Sequence, residues 1–117
     1  LSWRPTDVIV LAGVNDLASR RSLKHIIDNL AWMYEEIRRA GVRVVPVKVL
    51  PWGRRSTHNA EGTAAVNSWI GAVPGAVETN SLGDSRGWLL ESYTRDGVHL
   101  TEEGNRALGR LIVGRAF

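Results

Sequence analysis

Asp96 and His99 are the pair of residues in this sequence best suited to acid–base chemistry. They lie three positions apart across Gly97, directly ahead of a predicted C-terminal helix. A turn of that length lets the carboxylate accept a hydrogen bond from one imidazole nitrogen and leaves the other nitrogen free to take a proton. The alternative is structural, with Asp96 stabilising a turn and His99 packing near the start of the helix. No other histidine or acidic cluster has the spacing of metal ligands, so neither a metal nor a cofactor is expected.

A second polar group, Gly13-Val14-Asn15-Asp16, follows a short apolar run. Glycine lets the backbone approach a ligand closely, and the amide of Asn15 can donate to an oxygen that develops negative charge. Gly, Asn and Asp are also common turn formers, so the same residues fit a simple strand-exit turn. The next predicted strand ends before Trp52 and Arg54-Arg55, which are further candidates to line a pocket.

The apolar periodicity predicts alternating strands and helices. Residues 7–12 form a continuous apolar run, and residues 42–50 are rich in valine and do not alternate between apolar and polar; both are typical of strands buried on both faces. Between them, apolar residues recur every three or four positions, which predicts an amphipathic helix with Ser22 as its N-cap and Gly41 beyond its end. The other predicted elements are a weaker helix at 62–73, a short strand at 76–79, a mostly irregular segment at 80–100 and a last helix capped by Thr101.

This order of elements predicts an α/β fold with three layers, in which a parallel sheet lies between helices. At 117 residues the chain is a single domain, residues 1–117. Pro46 lies inside the second predicted strand and indicates an edge position or a bulge there. The fully apolar first strand needs neighbours on both sides. With so few strands, we expect residues 7–12 to form an open apolar edge that can pair with another chain.

Composition excludes several classes of protein. The chain has no cysteine, and no apolar run approaches the roughly 18 residues that cross a bilayer. Basic residues outnumber acidic ones by 15 to 12, which gives a net charge of +3. The arginines are scattered, whereas a surface that follows nucleic-acid phosphates usually has a denser cluster with aromatic stacking partners. We therefore expect a solvated arginine-rich surface and no nucleic-acid partner.

Two motifs taken together resemble the SGNH (GDSL-type) hydrolases, a family that contains esterases, lipases, acyl-thioesterases and carbohydrate acetylesterases. They are P-x-D-V-I-V-L-A-G-V-N-D-L near the start and D-G-V-H-L-T-x-x-G before the closing helix. Gly13-x-Asn15-Asp16 matches the third sequence block of the family, and Asp96-x-x-His99 matches its fifth. The resemblance spans essentially the whole chain and implies a flavodoxin-like α/β/α fold.

The resemblance also implies a role for each matched residue. His99 would be the general base that activates a serine, and Asp96 would hold its tautomer and balance the imidazolium. The side chain of Asn15 and the backbone N–H of Gly13 would form the oxyanion hole. Asp16 would be structural and would fix the loop after the strand.

The serine nucleophile of that family is expected on an N-terminal segment that precedes these 117 residues. A Gly83-Asp84-Ser85 triplet does occur, but no apolar strand leads into it and it precedes His99 by only 14 positions. We therefore interpret the triplet as a coincidence. The resemblance implies the C-terminal portion of an esterase or lipase whose first strands are missing.

Three hypotheses for function follow. The first is an enzyme that hydrolyses a carboxylic or acetyl ester of a small molecule, completed by an N-terminal segment or a second chain that carries the serine. The second is a catalytically inactive fragment that acts only as a folding or assembly unit and self-associates through the strand at 7–12. The third is a basic binding module.

Overall fold

The protein alternates strands and helices as the sequence predicts. Its structure, a computed structural model, describes residues 4–53 and 59–117. In chain order the elements are β1 (Asp7–Val10), α1 (Val14–Ala18), α2 (Leu23–Arg39), β2 (Arg43–Pro46), α3 (Ala60–Gly71) and α4 (Glu102–Ala116), with 3₁₀ turns at Asn80–Leu82 and Glu91–Tyr93. The short helix α1 was not predicted, because five residues are too few to show a helical period.

The sheet is parallel and thin. β1 and β2 pair along their whole length. A third strand position is occupied by Val77 alone, which bridges Val47 just beyond β2. The strand predicted at 76–79 is thus reduced to one bridged residue. Pro46 is the last residue of β2; it has no N–H to donate, but its carbonyl accepts from Val77 N at 2.8 Å, and the bridge to the neighbouring chain forms at the next residue, Val47.

After Arg43, β2 is apolar because its side chains alternate between two cores. Val44 faces the core under α1, α2 and α3, whereas Val45 and Val47 face the core under α4. Helices therefore cover both faces of the sheet, which is the three-layer α/β/α arrangement predicted from the order of elements. None of the described helices is long and apolar enough to cross a membrane.

The two longest helices begin and end where their capping residues predict. The hydroxyl of Ser22 accepts a hydrogen bond from the backbone N–H of His25 at 3.1 Å, which caps α2. The helix ends before Gly41, which has a φ of 76° and so adopts the left-handed conformation that glycine tolerates. Thr101 caps α4 in the same way, accepting from Gly104 N at 3.1 Å.

β1 has an open edge in the described part of the chain. Its one paired neighbour is β2, and no other described strand lies against it. Ile9 and Leu11 point to the α4 side of the sheet and are 47% and 42% exposed, respectively. The open apolar edge expected at residues 7–12 is therefore present in the structure.

Candidate active site

Asp96 holds both the ring of His99 and the loop that carries it. Nδ1 of His99 lies 2.5 Å from Oδ2 of Asp96. The other carboxylate oxygen, Oδ1, accepts from the backbone N–H groups of Val98 and His99, both at 2.8 Å. With Nδ1 engaged in this way, Nε2 of His99 has no partner among the described residues. The imidazole is thereby oriented with one nitrogen free.

Thr94 closes the same loop from the other side. Its hydroxyl donates to the carbonyl of His99 at 2.7 Å and accepts from the N–H of Gly97 at 3.0 Å. Gly97 has a φ of 89°, a backbone conformation that side chains disfavour, and its carbonyl accepts from Gly53 N at 2.7 Å. The glycine between Asp96 and His99 is thus required by the turn that brings their side chains together.

The pKa of Asp96 lies well below that of an ordinary aspartate. The main cause is the hydrogen bond with the ring of His99, followed by the backbone N–H groups of His99 and Val98. Asp96 therefore remains a carboxylate at any pH at which the protein works. A carboxylate on Nδ1 favours the tautomer in which Nε2 can accept a proton.

Asn15 lies in the first turn of α1, directly after β1. Gly13 is the N-cap of this helix, and its φ of 117° is left-handed. A Cβ built on Gly13 would lie 3.6 Å from Val49, an ordinary contact, so the backbone angle and not the available space calls for glycine here. Asp16, the next residue, pairs with Arg21 at 3.4 Å and holds the end of this short helix.

One cavity at the carboxyl ends of the strands brings Asn15 and His99 together. It has a volume of about 320 Å³, and Ala12 and Val14 line it on either side of Gly13. Gly13 itself is not among the lining residues, although its N–H has no hydrogen-bond partner in the described part of the chain. Apolar walls surround three polar side chains, those of Asn15, Asn105 and His99; the walls are Leu11, Ala12, Val14, Val49, Leu50, Trp52, Val98 and Leu100.

Sequence reasoning missed Asn105. It lies in α4, six positions after His99, and lines the same cavity. No motif marks it, because its place depends on how α4 packs against the sheet. Trp52, a candidate for the pocket, does line the cavity and is almost fully buried. The accompanying candidates Arg54-Arg55 lie outside the described residues.

Side-chain amides and hydroxyls fix the wall behind the cavity. Asn67 in α3 accepts from the N–H of Val49 at 2.7 Å and donates to its carbonyl at 3.0 Å. The indole N–H of Trp52 donates to the hydroxyl of Thr63 at 2.8 Å. Two lining residues, Val49 and Trp52, are therefore anchored to α3.

Comparison with known proteins shows the family of the chain. A family model described as the GDSL-like lipase/acylhydrolase family matches residues 1–107. The chain belongs to the GDSL-like lipase/acylhydrolase family. No curated protein matches the chain.

Solved structures support the same family and its fold. A GDSL-like lipase from Bacteroides thetaiotaomicron is 27% identical, with a TM-score of 0.79, and the match covers 94% of this chain and 61% of that one. A suggested acylhydrolase from Bacteroides fragilis is 25% identical, with a TM-score of 0.81 and coverage of 94% and 60%. This GDSL-like family member therefore spans about 60% of the length of the structures it matches.

In this GDSL-like chain the Gly83-Asp84-Ser85 triplet forms a hairpin turn. Gly83 bridges Leu89 across the hairpin, and Asp84 accepts from the backbone N–H of Arg86 at 2.8 Å. Ser85 is exposed at the turn and does not line the cavity of His99. A Cβ on Gly83 would lie only 2.8 Å from Pro51, and Asp84 accepts backbone hydrogen bonds within the turn, so both residues have a structural role there. In residues 4–53 and 59–117, no cluster of His, Asp and Glu could hold a metal ion.

Proposed function

We propose that this protein is the part of a serine-type acylhydrolase that carries the base and the oxyanion hole for hydrolysis of carboxylic esters. The observation that carries the proposal is the Asp96–His99 hydrogen bond at 2.5 Å, which leaves Nε2 free at the wall of a cavity that Asn15 also lines. An oriented base and an amide donor facing one apolar cavity are the groups that acyl transfer needs.

The reaction would proceed in two steps. A serine hydroxyl gives its proton to Nε2 of His99 as its oxygen attacks the ester carbonyl carbon. The oxyanion accepts hydrogen bonds from the amide of Asn15 and the N–H of Gly13. The imidazolium, balanced by Asp96, then protonates the leaving alcohol, and an acyl-enzyme remains. Water, deprotonated by His99, attacks the acyl-enzyme, and the carboxylic acid and the free serine are released.

We propose that the serine lies on a segment outside these 117 residues. Among residues 4–53 and 59–117, those that line the cavity include no serine. The side chain of His99 is 85% exposed, whereas a working triad is shielded from solvent on most sides. The open edge of β1, with Ile9 and Leu11 exposed, offers a place for a further strand beside this cavity. An N-terminal segment or a second chain that pairs there would cover His99 and the apolar edge together.

The same edge favours a second candidate function. If residues 7–12 pair with a second copy of this chain, the protein is an assembly unit without catalytic activity. The observation in favour is that Ile9 and Leu11 are exposed on a strand whose second edge has no neighbour among the described residues, because such edges readily add strands. Self-association would then depend on these two side chains.

A serine-reactive fluorophosphonate separates the two functions. We expect it to label the protein isolated at its full natural length and to leave the 117-residue chain unlabelled. Hydrolysis of a p-nitrophenyl ester by the full-length protein should be lost in His99→Ala. It should persist in His25→Ala, a matched change of a histidine on α2 that lies outside the cavity. Absence of both labelling and hydrolysis at full length, with dimers in sedimentation that Leu11→Lys disrupts, would instead establish the assembly unit.

A further inference from the structure

A second cavity, at the opposite end of the strands, is lined by three arginines. It has a volume of about 740 Å³ and lies where β2 begins, next to the ends of α2 and α4. Arg38, Arg43 and Arg115 line it, and no Asp or Glu does. The rest of its wall is apolar or backbone, namely Val42, Val44, Val45, Pro74, Gly75 and Ala116. The sequence gives no hint of this cluster, because Arg115 lies more than 70 positions from Arg38 and Arg43.

The charge of Arg43 is already compensated by contacts within the protein. Its guanidinium pairs with Asp7, donates to the carbonyl of Ala116 at 3.0 Å and lies 4.8 Å from the centre of the Phe117 ring. These contacts hold the beginning of β2 against the end of α4. Arg43 and Asp7 together contribute almost no net charge to the cavity.

Arg38 and Arg115, in contrast, are uncompensated. Neither has a hydrogen-bond or ion-pair partner among the described residues. The adjacent Arg39 shows the usual arrangement, since it pairs with Glu35 at 3.4 Å and Glu36 at 3.6 Å. Two like charges without a carboxylate therefore line one cavity.

Stabilisation of a helix end does not by itself account for the positions of both arginines. Arg38 and Arg115 lie in the last turns of α2 and α4, where cations offset the negative end of the helix dipole. At the end of α2, however, the carbonyl of Arg38 already accepts from Gly41 N at 2.9 Å and that of Ile37 from Val42 N at 3.3 Å. The backbone there is satisfied, and Arg39 already adds a cation. The charge of Arg38 is free to act on a ligand.

We propose that this cavity binds a phosphate monoester attached to an apolar group. Two free guanidinium groups match the charge of about −1.5 to −2 that a phosphate monoester carries at neutral pH, whereas a carboxylate would leave one of them uncompensated. Guanidinium groups bind phosphate oxygens through paired N–H donors. Val42 and Pro74 supply apolar surface for the group that carries the phosphate.

Phenyl phosphate tests the site directly. Titrated into the protein and followed by ³¹P NMR, it should bind saturably, and its affinity should fall about tenfold or more in Arg38→Gln and in Arg115→Gln. The matched control is Arg110→Gln, since Arg110 is an exposed arginine of α4 that does not line this cavity. Its affinity should equal that of the wild type. All three residues are exposed, so these variants are expected to fold.

The charge of the ligand gives a second readout. Binding of phenyl phosphate should weaken as the pH falls below about 6, where the phosphate takes up its second proton. Phenyl sulfate, a monoanion at every pH used, should bind more weakly and without this pH dependence. Equal affinity for the two ligands, no saturable binding, or an equal loss in Arg110→Gln would overturn the proposal.

Vesicles distinguish the two sources of a phosphate monoester. Retention on phosphatidylcholine vesicles that contain phosphatidic acid, but not on phosphatidylcholine alone, would identify a lipid headgroup, provided that Arg38→Gln and Arg115→Gln abolish it. Binding of phenyl phosphate without retention on either vesicle would identify a soluble phosphorylated compound. Retention that survives in both variants would contradict the proposed site.

Discussion

The cavities at the two ends of the strands are built in different ways. At the carboxyl ends, hydrogen bonds fix the functional groups: Asp96 binds the ring and backbone of His99, and Asn67 fixes Val49 through both its amide atoms. At the amino ends, Arg38 and Arg115 reach the cavity as long side chains that have no partner in the described part of the chain.

The difference follows from what each kind of site has to do. Proton transfer works between atoms about 3 Å apart, so a base must be held in one orientation. Attraction between charges falls slowly with distance and tolerates a mobile side chain. Rigid loops with satisfied backbones thus suit the proposed catalytic cavity, whereas exposed helix ends are sufficient for the proposed phosphate site.

Replacement of Asp96 tests the rigid cavity most severely. Asp96→Asn keeps the size of the side chain but removes the charge that selects the tautomer of His99. We expect the kcat for ester hydrolysis by the full-length protein to fall by about 10³–10⁴. Asp84→Asn, a matched change in the hairpin turn, should leave kcat unchanged. Because the ring and backbone N–H of His99 hold the pKa of Asp96 well below its usual range, protonation of Asp96 should not cause a loss of activity in mild acid. Equal kcat values for the two variants would remove Asp96 from the mechanism.

The side chain of Asn15 tests the proposed oxyanion hole. Asn15→Ala removes a donor that would act mainly in the transition state, so kcat should fall by about 10²–10³ with little change in KM. Asn29→Ala on α2, where Asn29 contacts His25, serves as the control and should have no effect. A rise in KM at constant kcat would show that Asn15 binds the ester and does not stabilise the oxyanion.

Anchoring of the cavity wall should be measurable as stability. Asn67→Ala leaves the N–H of Val49 without its acceptor, and we expect the free energy of unfolding to fall by about 1–3 kcal/mol in urea denaturation. Ser68→Ala, at the neighbouring exposed position of α3, should change it by less than about 0.5 kcal/mol. If both variants unfold at the same urea concentration, the amide does not hold the wall.

Of the variants considered, a change at Tyr34, in the core beneath the first cavity, should have the smallest effect. The hydroxyl of Tyr34 is buried and has no hydrogen-bond partner among the described residues, and burial raises its pKa to about 12. Tyr34→Phe should therefore leave the free energy of unfolding unchanged or raise it by about 1 kcal/mol at neutral pH.

The raised pKa of Tyr34 also predicts how the stability of the protein changes with pH. The unfolded chain ionises this tyrosine from about pH 10, whereas the folded protein resists until about pH 12. The wild type should lose stability across that interval, and Tyr34→Phe should lose less. Identical pH profiles from denaturation experiments would mean that the hydroxyl finds a partner in solution.

Much of the site could be predicted because its parts are local in sequence. Asp96 and His99 are joined by a turn that Gly97 permits, and Gly13 and Asn15 follow directly on β1. The remainder could not be predicted from local pattern. Asn105 reaches the cavity only through the packing of α4, and α1 is too short to show a period.

The sequence by itself determined the alternation of strands and helices, the caps of α2 and α4, the turn that pairs Asp96 with His99 and the apolar character of β1. Each of these depends on residues within a few positions of one another, where side-chain type and backbone preference act directly. Tertiary structure alone decided that Asn15 and His99 line one cavity and that Arg38 and Arg115 line another. Those neighbours are separated by more than 70 positions, so only the packing of helices on both faces of the sheet brings them together.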